Sequence, residues 1–195
     1  MTFETINPAT GQPIEIYETM PQQEVFAIAE KTHHAFLEWR TRSVLDRVPY
    51  VRRLADVLRS NQQEYAELIT TEMGKPIREA LSEVEKCAWM AEVYADKAPE
   101  WLADEHVEAD GLQHRVIYQP LGVILAVMPW NFPFWQALRC GVPTLLAGNT
   151  VILKHASICT GSGLAVETAM QEAGFPENVF RTIIADHATI DGLIA

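Results

Sequence analysis

The chain has 195 residues, 26 of them acidic and 15 basic, for a net charge of −11. At 48% hydrophobic it has ample material for a core, which excludes a disordered chain, and its acidity argues against a nucleic-acid binder, which needs a basic stripe against phosphates. Its three cysteines, Cys87, Cys140 and Cys159, are unevenly spaced with no CxxC pair, so they build no disulfide framework and read as reduced thiols.

Met1 to Asn7 lacks the basic and apolar regions of a signal peptide, so a cytoplasmic protein is expected. Asn7-Pro8-Ala9-Thr10-Gly11 reads as a turn, and the zone from the N-terminus to about Trp101 otherwise reads as helices. After Pro21, residues Val25, Ile28, Ala29, Thr32 and Phe36 recur at helical spacing. Ser43-Val-Leu-Asp46 resembles a capping box with Asp in place of Glu, opening a helix with Leu54, Val57 and Leu58 inward. A third helix, around Glu64 to Met73, stops at Gly74-Lys75-Pro76. A fourth starts near Ile77 and carries Leu81, Val84, Ala88 and Ala91 along one stripe.

Residues 105–119 carry strand chemistry on both sides of Asp110-Gly111, which predicts a hairpin of His106–Ala109 and Gln113–Tyr118 around an Asp-Gly turn. An isolated hairpin is marginal, so this arm is expected to pair with another sheet or subunit.

From residue 120 the period changes. Gly122 to Met128 is a continuous apolar run, as in a strand buried on both faces of a parallel sheet. It is much too short to span a bilayer. A helix over Phe134–Leu146, a strand at Thr150–Lys154, a helix over Gly163–Glu172, a strand at Val179–Ile184 and a helix from Ala188 follow. Strand, helix, strand, helix, strand is the βαβαβ pattern of a doubly wound, Rossmann-like sheet. The expected organisation is a helical part (1–104), a hairpin arm (105–119) and a partial nucleotide-binding unit (120–195).

Ligands of such sheets sit beyond the carboxyl ends of the strands. The first strand ends in Met128-Pro129-Trp130-Asn131-Phe132-Pro133. Prolines hold the backbone on both sides of Asn131, and two readings stand: its NH₂ serves a developing oxyanion, worth about 3–4 kcal/mol in a transition state, or it caps the next helix. The second strand ends in Lys154-His155-Ala156-Ser157, where a cation followed by a hydroxyl suits a ribose or phosphate, or simply meets solvent. Thr160-Gly161-Ser162-Gly163 lacks the full GxGxxG or GKS/T pattern and reads as a helix start. His33-His34 has no partner at metal-ligand spacing, and no metal site is expected. Of the cysteines, Cys159 looks the most exposed and closest to a helix N-terminus; the inert reading is kept for all three.

Ile6-Asn-Pro-Ala-Thr-Gly11, Glu72-Met-Gly-Lys-Pro76, Pro120-Leu-Gly-Val-Ile124, Pro129-Trp-Asn-Phe-Pro133, Ala147-Gly-Asn149 and Leu153-Lys154 occur in this order. With them the whole chain resembles the N-terminal part of the aldehyde dehydrogenase superfamily, and within it succinate-semialdehyde dehydrogenases. The resemblance implies an α/β fold of N-terminal helices and a hairpin arm packed with a Rossmann-like doubly wound sheet, incomplete at the C-terminus. It implies oxidation of an aldehyde to an acid through a cysteine thioester, with Asn131 as oxyanion donor. Arg139, eight residues later, would meet the substrate carboxylate, with Phe132 and Trp135 walling the aldehyde tunnel. Val127, Met128, Pro129, Trp130, Lys154, His155 and Ser157 would hold the cofactor. Ser157 stands where NAD-preferring members often carry Glu, so NADP is the expected cofactor, with NAD use possible. The implied partners are a carboxylated aldehyde and further copies of the complete chain, as a dimer or tetramer, with no nucleic acid and no membrane. The family's nucleophilic cysteine and general-base glutamate lie beyond Ala195, so the chain alone is expected to be inactive. The competing reading is a catalytically inactive NADP-binding or assembly module.

Overall fold

The computed structural model describes residues 1–111 and 113–194. The turn at Asn7–Gly11 joins β1 (Thr2–Ile6) to β2 (Pro13–Glu18), paired antiparallel with Phe3 opposite Tyr17. This hairpin corrects the expectation of a wholly helical N-terminal zone: Ile14 and Ile16 alternate with Glu15, the period of a strand. Four helices follow: α1 (Gln22–Trp39), α2 (Val44–Ser60), α3 (Gln62–Met73) and α4 (Ile77–Trp101). The capping box is formed at α2, where the Ser43 hydroxyl accepts from the Asp46 amide and the Asp46 carboxylate accepts from the Ser43 amide. Gly74 ends α3 in the left-handed conformation, φ 78°, with its α-carbon side packed close to Pro8.

The arm is shorter than its sequence suggests, β3 (Glu105–Val107) against β4 (His114–Val116). The pair Val107–His114 ends the ladder, so the strands stop short of Ala109 and Gln113. The Gly111 amide donates to His114 Nε2 at 2.9 Å, and Leu112 lies outside the described residues.

The last part is a parallel sheet in the order β5-β6-β7, formed by Val123–Val127, Thr150–Lys154 and Phe180–Ile183. Its connecting helices are α5 (Pro133–Leu146) and α6 (Thr160–Glu172), and α7 (His187–Ile194) follows β7. The central strand β6 is buried throughout. Val151 and Leu153 face the main core with α2 to α6, while Ile152 faces α1 and α7 through Val25, Ile28 and Ile190. One departure concerns β5, expected to be buried on both faces. Only Ala126 is buried there, because β5 is an outer strand among the described residues. No helix among the described residues is long and apolar enough to cross a membrane.

Both ends of α5 are tied to the helical layer. The indole of Trp39 donates to the Leu145 carbonyl at 3.0 Å, and the buried guanidinium of Arg47 donates to the Leu146 carbonyl. Asn149 then joins this helix end to the start of β5: its Oδ1 accepts from the Leu121 and Gly122 amides at 2.7 and 3.1 Å, and its Nδ2 donates to the Thr144 carbonyl.

Candidate functional site

The carboxyl ends of β5 and β6 meet where the Met128 amide donates to the Lys154 carbonyl at 3.0 Å. Beyond them run two loops, Pro129–Phe132 leading into α5 and His155–Cys159 leading into α6. Pro133 takes the first helical position of α5, where its missing N–H costs nothing. Asn131, Trp130 and Phe132 are exposed on the first loop.

The N-terminus of α5 is capped from a distance. Glu83 of α4, 4% exposed, accepts from the amides of Phe134 and Trp135, both at 3.0 Å. Its other oxygen pairs with the buried ammonium of Lys75, which lies 3.8 Å from the centre of the Phe132 ring. A carboxylate at a helix N-terminus meets the positive end of the dipole as well as open donors. The start of α5 is thus capped by Glu83 and not by Asn131, whose side chain makes no hydrogen bond among the described residues. Asn131 is exposed on a loop that leads into this capped helix start.

The second loop is held the same way. Glu72 of α3 accepts from the amides of Gly161 and Ser162, each at 2.8 Å, and from the Ser162 hydroxyl at 2.6 Å. Burial pushes the Glu72 carboxyl above its ordinary range, and the three donors pull the other way. An anion therefore already occupies the start of α6, which settles Thr160–Gly163 as a helix start rather than a phosphate loop. The approach requires glycine. A Cβ on Gly161 would lie 2.7 Å from Glu72 Oε1 and 2.8 Å from the Tyr17 hydroxyl. Gly161→Ala is expected to displace a buried, hydrogen-bonded carboxylate and to cost about 1–3 kcal/mol, read as a lower urea midpoint at unchanged slope.

His155 spans the two loops. Its Nδ1 accepts from the Ala156 amide at 2.9 Å, so Nε2 carries the proton and donates to the Pro133 carbonyl at 3.0 Å. Burial pulls its pKa below the ordinary range, which favours this neutral ring. Both ring nitrogens of His155 are thus engaged within the protein.

Lys154 and Ser157 come together in a cavity of about 320 Å³ beyond β6 and β7, with Met1, Phe3 and Asp186 among its walls. Lys154 is 9% exposed, no carboxylate oxygen among the described residues lies within 4 Å of it, and burial lowers its pKa. The Asp186 carboxylate is turned to the start of α7, where it accepts from the Thr189 amide at 2.8 Å. A second cleft, about 410 Å³, lies between α4 and α5 and contains Phe132 and Trp135. Val127, Met128, Pro129 and Trp130 line neither cavity. Arg139 is exposed one turn beyond Trp135 on α5, outside the second cleft, with no ion pair among the described residues.

The cysteine expectation needs one correction. Cys159 is 0% exposed, its thiol faces the Trp130 carbonyl, and burial beside Glu72 and Glu83 pushes its pKa up to about 12. Cys87 is buried as well, which raises its pKa, and Cys140 is half-buried. No thiolate forms at either buried position near neutral pH.

Glu72, Glu83 and Lys75 escaped the sequence reading. One signal for Glu83 was available: it interrupts the apolar stripe Ala80, Val84, Cys87, Ala88 of α4, where an unpaired carboxylate is costly.

The sequence pattern of the aldehyde dehydrogenase family matches residues 1–195. The chain is 46% identical over its full length to a "probable succinate-semialdehyde dehydrogenase (NADP+)" of Synechocystis, of which it covers 43%. It is 36% identical over 193 residues to a succinate-semialdehyde dehydrogenase (NADP+) of Deinococcus radiodurans, covering 40% of it. Among solved structures, a succinic semialdehyde dehydrogenase of Streptococcus pyogenes in complex with NADP+ superposes with a TM-score of 0.96 at 36% identity. That match covers 99% of this chain and 43% of the other. The chain thus spans about two-fifths of the length of these relatives.

Proposed function

The chain belongs to the aldehyde dehydrogenase family, and from that membership we propose that it is the cofactor-binding N-terminal segment of a cytoplasmic enzyme that oxidises succinate semialdehyde to succinate, NADP+ being preferred over NAD+. The observation that carries this reading is Lys154: a cation with a buried stem and no carboxylate partner among the described residues, opening with Ser157 on one cavity of an otherwise acidic protein. A buried ammonium without a counter-ion is costly, and an anionic ligand removes that cost.

These residues fit a dinucleotide with a 2′-phosphate. Lys154 would pair with the phosphate and Ser157 would donate to it. A carboxylate at that position would repel it and favour ribose hydroxyls. Val127, Met128, Pro129 and Trp130 would frame the cofactor, and His155 serves it only by holding the two loops together. The chemistry the bound dinucleotide supplies is acceptance of a hydride. On the substrate side, Asn131 donates to the aldehyde oxygen as negative charge develops there, its loop fixed by Lys75, Glu83 and His155. Phe132 and Trp135 wall the aldehyde, and Arg139 meets its carboxylate. The hairpin arm β3–β4 would join copies of the complete protein.

The raised thiols of Cys87 and Cys159 favour the companion claim that these 195 residues bind cofactor without turning over aldehyde. Calorimetric titration of the chain is expected to show saturable NADP+ binding, at least tenfold tighter than NAD+, and no NADPH when succinate semialdehyde is added. Equal affinities would overturn the cofactor assignment. Substantial aldehyde-dependent NADPH would overturn the claim of inactivity.

A further inference from the structure

The cleft between α4 and α5 has a chemistry that the residues assigned so far do not use. Arg78, Ser82 and Lys86 stand at intervals of four along α4, which puts them on one face of the helix, and all three line the cleft opposite Phe132 and Trp135. The Lys86 ammonium sits 3.9 Å from the centre of the Trp135 ring. Neither Lys86 nor Arg78 lies within 4 Å of a carboxylate oxygen among the described residues. Two acidic residues also line the cleft. Glu83 is already engaged by Lys75 and two backbone amides, which leaves the exposed Glu79 as the one carboxylate not so held. The result is a small apolar slot walled by two aromatics, with two unpaired cations at its rim, in a chain of net charge −11.

We propose that Lys86 and Arg78 form an anion-recognition site for the carboxylate end of a short carboxylated substrate, with Trp135 as the face along which its methylene chain lies. Lys86 is the principal contact. The ring holds one side of its ammonium, and the remaining N–H donors stay available to an oxygen anion. Arg78 adds a planar fork that pairs a carboxylate through two parallel bonds. Arg139 lies a turn further along α5 and outside the cleft, so the two places are separate stations for one carboxylate. This inference rests on the reading that the substrate is a carboxylated aldehyde.

The test is calorimetric titration of the 195-residue chain with succinate as an unreactive probe, and with 1,4-butanediol as its neutral counterpart. Succinate is expected to bind saturably and the diol not at all. Lys86→Met is expected to weaken succinate at least tenfold, Arg78→Met severalfold, and Lys86→Arg to restore most of the affinity. Loss on Arg139→Ala is expected to be smaller than on Lys86→Met. Wild-type affinity in both Lys86→Met and Arg78→Met, or no saturable succinate binding, would overturn the proposal. A loss confined to Arg139→Ala would overturn it while leaving the carboxylated substrate intact. NADP+ titration of the same samples reports on Lys154 and Ser157, so failure of the cofactor reading shows separately, and retained NADP+ binding shows that each variant is folded.

Discussion

Glu83→Ala is expected to destabilise the chain by about 3–5 kcal/mol, the usual cost of removing one partner from a buried ion pair. The loss has two sources. The ammonium of Lys75, 7% exposed, would be left without its counter-ion. The amides of Phe134 and Trp135 would lose their acceptor at the start of α5, and each unsatisfied buried donor costs about 1–3 kcal/mol. These terms overlap, so they do not simply add. Such a loss is a large share of the total stability of an ordinary domain, about 5–15 kcal/mol. Urea unfolding measures it. Glu83→Gln keeps an oxygen for the amides and should fall between wild type and alanine. Adding Lys75→Met to Glu83→Gln should recover part of the loss by removing the stranded charge. A change below about 1 kcal/mol in Glu83→Ala would show that the pair is not a stabilising element.

Ser157→Glu is expected to invert the cofactor preference. It places a carboxylate in the cavity that Lys154 opens on. At about 4 Å and an effective dielectric near 20, repulsion between two unit charges approaches 4 kcal/mol, and solvent in this open cavity reduces it to about 2–4 kcal/mol. NADP+ affinity should fall thirtyfold or more, while NAD+ holds or improves because the new carboxylate accepts from ribose hydroxyls. Parallel titrations with the two dinucleotides measure the ratio. Equal losses for both would mean that Ser157 supports the loop rather than the phosphate.

The elements that local chemistry dictates were legible in the sequence. The capping box at Ser43, the glycine stop at Gly74 and the strand Thr150–Lys154 need only neighbours a few residues away. The hairpin β1–β2 was hidden because its turn was visible while its short, polar strands carry a weak period-2 signal. The Asp-Gly dipeptide marked the connection between β3 and β4, whose ladder, ending at Val107 opposite His114, is shorter than the strand chemistry around it. Among the candidate site residues, Asn131 and Lys154 stood out because motifs carry them, and Ser157 because it follows Lys154 by three positions. The residues that hold them did not, since Glu72 reaches 89 residues ahead to Gly161 and Glu83 reaches 51 ahead to Phe134. No window on the sequence spans such a distance, and the partner of His155, Pro133 at the start of α5, is also remote in sequence.

The anchoring of α5 at both ends bears on how this protein can be divided. Glu83 holds the helix at its start, while Trp39 and Arg47 hold it at its finish, and all three come from the first hundred residues. A boundary drawn near residue 104 separates stretches of sequence but is no fracture line. Excising 120–195 as a minimal nucleotide-binding module would strip α5 of its cap at one end and its donors at the other, and α6 of Glu72. It would also bare the apolar face that Leu138, Leu145 and Val151 turn toward the helices. The segment 120–195 alone is therefore expected to lack a stable fold, and the whole chain to unfold in a single transition followed by circular dichroism in urea.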